Sequence, residues 1–252
     1  MILRAGLFLA LTALPLHAET IVAGLSQNIV SITSDFTGSE ILVYGAVKRD
    51  RPSPGDAPLE VVITVQGPST PVVVRKKERR FGIWMNTESA RISSAPSFYA
   101  IASSAPLTEA MSETENLRHE VTIPRAIRAV GIAASVTDAP RFLDALMRLR
   151  TAEERYSLQE DTVDLIEETL FRTDIRLPAN LTAGNYRVRF FITREGQIID
   201  AHEQVIYVEK AGLERWLYNL AHQQPLIYGL LALFLAVAAG WGASAAFSLL
   251  RR

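Results

Sequence analysis

Residues 226–250 read LIYGLLALFLAVAAGWGASAAFSLL, without one Asp, Glu, Lys, Arg or His, and Arg251 and Arg252 follow at once. At about 1.5 Å of rise per residue a helix over this stretch is roughly 37 Å long, enough to cross a ~30 Å hydrocarbon core with some tilt. Residues 225–250 are therefore predicted as a transmembrane helix, and everything upstream as a body held at a membrane surface. The opposite end fits. Arg4, the apolar run from Ala5 to Leu16 and small Ala18 predict a signal peptide over 1–18, with an uncleaved anchor as the alternative. Export of the N-terminus, with Arg251 and Arg252 retained by the positive-inside bias, places the body in the periplasm and the 251–252 tail in the cytoplasm of an inner-membrane, single-pass protein.

Composition suits an exported globular domain. Of 252 residues, 48% are hydrophobic and none is cysteine, which excludes disulfides and thiolate chemistry. Setting aside Arg4, Arg251 and Arg252 leaves 23 basic residues against 27 acidic ones, a balance that argues against nucleic acid as a partner. The body, 19–210, reads as mainly β: short runs such as Asn28 to Thr33, Glu40 to Val47 and Thr70 to Arg75 are separated by turn residues. Leu59, Val61, Ile63 and Val65 share one face of a strand expected to be half-buried. Arg49 to Pro58, with three prolines and a glycine, is a loop, and Val163 to Leu177 a strand. The spacing predicts an antiparallel, immunoglobulin-like β-sandwich with a helical insertion near 124–158, α+β in class. Tyr186, opening the penultimate strand, is placed to tie down a corner as tyrosines do in such sandwiches. Within the insertion, Asp138 caps an amphipathic helix whose Phe142, Leu143, Leu146 and Leu149 form one stripe, expected in the core.

Three groups of residues are candidates for interaction. Arg75, Lys76, Lys77, Arg79 and Arg80 surround Glu78 in the densest charge run, either an anion or lipid-headgroup patch or a solvated hairpin tip, the second being favoured. The neighbouring aromatics Phe81, Trp84, Phe98 and Tyr99 are assigned to the core. Ala232, Ala236, Gly240, Ser244 and Ser248 recur every fourth residue, a small-residue ridge for a partner helix, with Trp241 beside it. The alternative is chance, since Ala, Gly and Ser are common in bacterial spans. Over 211–224, Leu213, Trp216, Leu217 and Leu220 fall at helical spacing, and Trp216 with Tyr218 suits the headgroup level, so this is predicted as a juxtamembrane amphipathic helix anchored there and by Arg251 and Arg252. His119, His202 and His222 show no metal-binding spacing, and no nucleophile elbow or phosphate loop occurs. No catalytic residue, metal or cofactor is expected.

Four segments carry a resemblance: ETIVAGLSQNIVSITSDFTGSEILVYGAV (19–47), VVVRKKERRFGIWMNTESARISSAPSFYAIASS (72–104), LFRTDIRLPANLTAGNYRVRFF (170–191) and LAHQQPLIYGLLAL (220–233). They resemble the alphaproteobacterial "putative transmembrane protein" family, whose function is unknown. The motif-bearing positions here are Arg75, Lys76, Glu78, Gly82, Trp84, Pro96, Phe98 and Tyr99. The resemblance implies a signal peptide, an extracytoplasmic domain and one C-terminal span, and, because members accompany sulfite-exporter-like permeases, an accessory role in anion transport with a transporter-like integral membrane protein as partner. The alternative is an envelope structural or adaptor protein with no transport role. A homo-oligomer through the span is a further option.

Overall fold

A computed structural model describes residues 19–33, 36–49, 57–127, 139–210 and 213–250. The signal peptide expected over 1–18, the capping role of Asp138 and the tail expected over 251–252 fall outside the described residues, as does most of the 49–58 loop.

The chain forms twelve strands and six helices within these residues. In order they are β1 (Glu19–Leu25), β2 (Ile29–Ile32), β3 (Gly38–Arg49), β4 (Leu59–Gln66), β5 (Ser69–Arg80), β6 (Ile83–Pro96) and β7 (Tyr99–Ser103), then α1 (Leu107–Ala110), α2 (Glu113–His119), α3 (Ile123–Ala126) and α4 (Ala139–Ala152). β8 (Tyr156–Gln159), β9 (Asp164–Ile166), β10 (Leu170–Pro178), β11 (Gly184–Arg194) and β12 (Gln197–Lys210) follow, and α5 (Leu213–Gln223) and α6 (Pro225–Leu250) end the chain.

The strands make three sheets. One has the order β1-β3-β10-β9 and is wholly antiparallel; the second has the order β2-β12-β11-β4-β7-β8; the third is the β5–β6 hairpin alone. The first sheet obeys period-two alternation. Ile41, Val43 and Val47 of β3 and Phe171, Ile175 and Leu177 of β10 point inward, while Arg172, Asp174 and Arg176 point to solvent. These inward residues meet Val61, Ile63, Val65, Val188, Phe190 and Ile206 of the second sheet in one hydrophobic core. Two edge pairs of the second sheet, β2 with β12 and β7 with β8, run parallel, which the antiparallel expectation missed.

A second core lies on the far face of the same sheet. Val62 of β4, Ile101 of β7 and Phe191 of β11 are covered there by Val74 and Ile92 of the hairpin and by Phe142 and Leu146 of α4. Strand β4 is thus buried on both faces rather than half-buried, because a third layer packs on it. Within that layer the described helices begin earlier than the expected insertion, at Leu107, and the last of them ends at Ala152, with β8 already occupying Tyr156–Gln159. The sequence carried an unread signal for α2, a capping box over Ser112 to Glu115, in which the Glu115 amide donates to Ser112 Oγ. Likewise 163–177 divides into two strands about a turn at Glu167 and Glu168, both with positive φ.

Two local features stand out. Tyr186 Oη donates to the Thr182 carbonyl at 2.8 Å, four residues upstream, so the strand-start tyrosine ties down its corner. Gly45 of β3 sits directly opposite Phe171 of β10, and the ring lies over it. A Cβ at position 45 would come within 2.9 Å of both Cε atoms of Phe171 and closer to its Cζ. Gly45→Ala is therefore expected to destabilise the body by about 1–3 kcal/mol, the usual range for overpacking a tight core. Thermal unfolding of the full chain in detergent reads this, and Phe171→Leu in the same chain should recover much of the loss. An unchanged melting temperature in Gly45→Ala would show that the ring moves aside freely.

Candidate functional site

Strands β5 and β6 run antiparallel to a two-residue turn, Phe81-Gly82, whose φ angles of 51° and 84° are the positive pair that tight hairpins require. The hairpin has a buried root and an exposed arm. Val74, Ala90, Ile92 and Ala95 belong to the second core, whereas from the Arg75–Ser89 pair outward no residue is buried. A register shift falls between Lys76 and Lys77, near where burial ends. The six residues of β5 beyond Val74, Arg75 to Arg80, at about 3.3 Å each, make an arm of roughly 20 Å.

All five residues of the predicted basic patch are on this arm, which agrees with the hairpin-tip reading of the run. Their charge is partly met within it. Lys76 Nζ lies 2.8 Å from Glu78 Oε1 and 3.6 Å from Glu88 Oε1, and Arg80 Nη2 donates to Glu78 Oε2 at 3.3 Å. The Glu78 carboxylate beside it holds the Lys76 ammonium above its ordinary pKa, and bonding from Lys76, then Arg80, holds Glu78 below the usual carboxylate range.

Where the arm leaves the body, β5 and α4 bound a cleft of about 370 Å³. Arg75, Lys76 and Lys77 line it from β5, Arg141 and Arg148 from α4, and Glu88 from β6. Val74, Phe142, Ala145 and Leu149 supply its apolar lining. Five cations against one carboxylate suit an anion, and guanidinium forks suit an oxyanion best. Arg141 and Arg148 were not singled out in the sequence. Their seven-residue spacing, which puts them on one helix face, was the available signal. Leu149, assigned to the core stripe of α4, is exposed on the edge of this cleft, while Phe142 and Leu146 are buried as expected.

The aromatics divide. Phe98 and Tyr99 are buried, as expected. Phe81 and Trp84 are not: Phe81 is fully exposed, Trp84 is 70% exposed, and Ile83 and Met85 beside them are 61% and 45% exposed. Their assignment to the core is corrected. The apolar run at the arm matched that of a packed strand, but among the described residues no element covers it.

Downstream of the body, α5 runs into α6 with only Gln224 between them, and Pro225 opens α6 at a position where its missing N–H costs nothing. No described residue of helix α6 is buried, and its segment Pro225–Ala243 is long and apolar enough to cross a bilayer. Ala232, Ala236 and Gly240 are exposed one above another on it, Trp241 is exposed beside them, and a Cβ at Gly240 would meet nothing within 4 Å. Ser244 and Ser248 continue the helix, their side chains outside the described set. On α5, Tyr218 is exposed and its ring stacks on His222 at 4.1 Å; the Trp216 side chain is likewise outside the described set. Among the described residues, no three His, Asp or Glu side chains gather as a metal site would need.

The architecture defines a class: a mainly β body followed by one apolar helix able to span a membrane. Within that class the chain belongs to the family described as "Putative transmembrane protein (Alph_Pro_TM)", whose pattern matches residues 20–249. No protein of curated function matches it. Among solved structures, the sporulation control protein Spo0M from Bacillus subtilis is similar over 82% of this chain and 56% of that one, with 12% identity and a TM-score of 0.28. This chain thus spans just over half of that protein's length.

Proposed function

We propose that this protein is a non-catalytic accessory subunit, moored in the inner membrane by α6 with its body in the periplasm, which binds an oxyanion in the β5–α4 cleft for a neighbouring anion exporter of the sulfite type. The observation that carries the reading is the cleft itself, lined by five cationic residues from two distant segments and one acidic residue, together with an apolar floor. The signal-like pattern of residues 1–18 and the two terminal arginines support the orientation, and the Tyr186 corner supports an immunoglobulin-like body. The ridge of Ala232, Ala236, Gly240, Ser244 and Ser248 is the surface by which α6 docks on the permease, since small side chains let helices approach closely in lipid.

Affinity capture of the full chain from detergent-solubilised membranes tests the docking. The wild type should bring down an integral membrane permease, and Gly240→Leu should lower its recovery about tenfold, in line with the 1–2 kcal/mol of helix packing in lipid. Sulfite binding measured by calorimetry should fall comparably in Arg148→Glu. Equal permease recovery by Gly240→Leu would remove the ridge from the docking surface, and sulfite binding untouched by Arg148→Glu would remove the cleft. A second reading, an envelope adaptor that binds protein without any transport role, is favoured by the exposed hairpin tip. Deletion separates the two: lost sulfite efflux supports the accessory subunit, whereas normal efflux with a weakened envelope supports the adaptor.

A further inference from the structure

We infer that the tip of the β5–β6 hairpin is a membrane-inserting finger, which buries Phe81, Ile83, Trp84 and Met85 in the interface of an anionic bilayer while Arg79 and Arg80 hold lipid phosphates.

The argument starts from what the tip lacks. Four consecutive large apolar positions around one turn, broken only by Gly82, are 45% to fully exposed at the end of an arm about 20 Å long. Scattered apolar residues on a surface need no explanation, but a contiguous cluster at a protruding end marks a surface that something covers. The arrangement of charge says what covers it. Arg80 pairs across the hairpin with Ile83, and Arg79 with Trp84, so a guanidinium flanks an apolar side chain on each face of the ribbon. Arg79 Nε donates to the Gly82 carbonyl at 3.3 Å, which keeps that guanidinium at the turn. Phe81 stands at the very end, and behind it Arg80 is level with Ile83 and Arg79 with Trp84, an arrangement that suits a bilayer interface, where aromatic rings sit at headgroup depth and long cationic side chains reach phosphate.

Charge is also segregated over the whole molecule. The hairpin, 69–96, carries six basic and two acidic residues, whereas the rest of 19–250 carries 17 basic and 25 acidic. An anionic surface therefore attracts the arm and repels the remainder, which orients the body with its finger toward lipid. Topology places the roots of finger and tether together. Strand β4 ends at Gln66 opposite Arg187, near the start of β11, and β12 reaches Val208 opposite Gly184 at that same end. Pro68, in the link to the hairpin, packs against Gly184 so closely that a Cβ there would lie 2.6 Å from its Cγ. The finger's root and the exit toward α5 and α6 leave the second sheet side by side. The inference rests on the mooring by α6 for one quantity alone, the high local concentration of bilayer around the tip.

Trp84 is its own reporter. In the full chain carrying Trp216→Phe and Trp241→Phe it is the sole tryptophan. The chain is reconstituted into vesicles of phosphatidylcholine, with or without a minority of phosphatidylglycerol, and of the same lipids brominated on their acyl chains. Emission from Trp84 should shift to the blue and be quenched by brominated lipid, more strongly with phosphatidylglycerol present. Arg79→Gln and Arg80→Gln should each lower the ratio of inserted to free tip about fivefold on the anionic vesicles. Both side chains are exposed and outside the cores, so unfolding temperatures should not move. Red-shifted emission from Trp84 that brominated lipid leaves unquenched overturns the finger, whether or not the chain floats with vesicles. Failure to float, read separately, overturns the mooring instead. Should Trp84 stay unquenched in lipid while a photo-crosslinker at position 81 captures a protein in native membranes, the tip is a protein-docking surface and the lipid assignment is wrong.

Discussion

Glu19→Ala should lower the stability of the folded body by about 3–5 kcal/mol, the range for removing one partner of a buried ion pair. The Glu19 side chain is 2% exposed, at the first position of β1. Arg194 Nη2 donates to its Oε1 at 3.1 Å, and Arg49 Nε lies 3.2 Å from the same oxygen. Arg49 sits opposite Glu19 on the neighbouring strand, whereas Arg194 comes from the end of β11 in the other sheet. One carboxylate thus holds two guanidinium groups and joins the two sheets at an open end of the core. Alanine would leave two mostly buried cations facing each other without the anion between them. Arg49 keeps its hydrogen bonds to the carbonyl and carboxylate of Glu168, and Arg194 keeps the Ala57 carbonyl, so neither can turn out to solvent without further loss. Chemical denaturation of the full chain in detergent is the measurement. Glu19→Gln should cost less, because it retains an acceptor. The double change Glu19→Met with Arg194→Met should cost less than the two single losses added together, since an apolar pair carries no desolvation penalty. A loss under 1 kcal/mol in Glu19→Ala would mean that water reaches the cluster and screens it.

Arg189→Ala should cost about 3 kcal/mol, and the loss should be local before it is global. From the middle of β11 the guanidinium donates to the His119 carbonyl at 2.6 Å, the Glu120 carbonyl at 3.3 Å, Tyr99 Oη at 3.0 Å and Thr64 Oγ1 at 3.2 Å. It also lies 5.3 Å from the centre of the Phe191 ring. Tyr99 Oη in turn donates to the Val121 carbonyl at 2.8 Å. The two carbonyls belong to the end of α2, where a helix exposes unpaired acceptors and the negative end of its dipole. Glu120 there adopts a left-handed conformation, with φ of 50°, that the arginine holds in place. Hydrogen bonds from a charged donor contribute about 1.5–3 kcal/mol each and do not add, which sets the estimate. Amide exchange should show α2 and the link to α3 losing protection while β4 and β11 keep theirs. Arg189→Lys should fall between, because an ammonium keeps the charge but cannot present the same fork of donors. Unchanged exchange in α2 would assign its stability to packing alone.

Neither cluster was legible beforehand. Glu19 and Arg194 are far apart in sequence, and Arg189 alternates along β11 like any solvent-facing residue of a half-buried strand. The basic run at 75–80 was legible as a charged hairpin end, and the apolar run at 226–250 as a helix able to cross a bilayer, because both depend on composition within one segment. The partners of that basic run were not legible: Arg141 and Arg148 reach the cleft from a helix that the third layer of the fold brings against β5.

Local chemistry settled the parts of this protein that local rules govern. Alternation in β3 and β10 follows from the two-residue repeat of an extended backbone, the turn at Phe81-Gly82 from the freedom of glycine, and the corner at Tyr186 from a hydroxyl within reach of a carbonyl four residues away. Burial was decided only in three dimensions. Trp84 and Ile92 lie on one strand, β6, and Trp84 has the more apolar neighbours, yet Ile92 is enclosed and Trp84 faces outward. The difference is the company brought by distant segments: α4 and the second sheet close over the root of the hairpin, and among the described residues no element closes over its end.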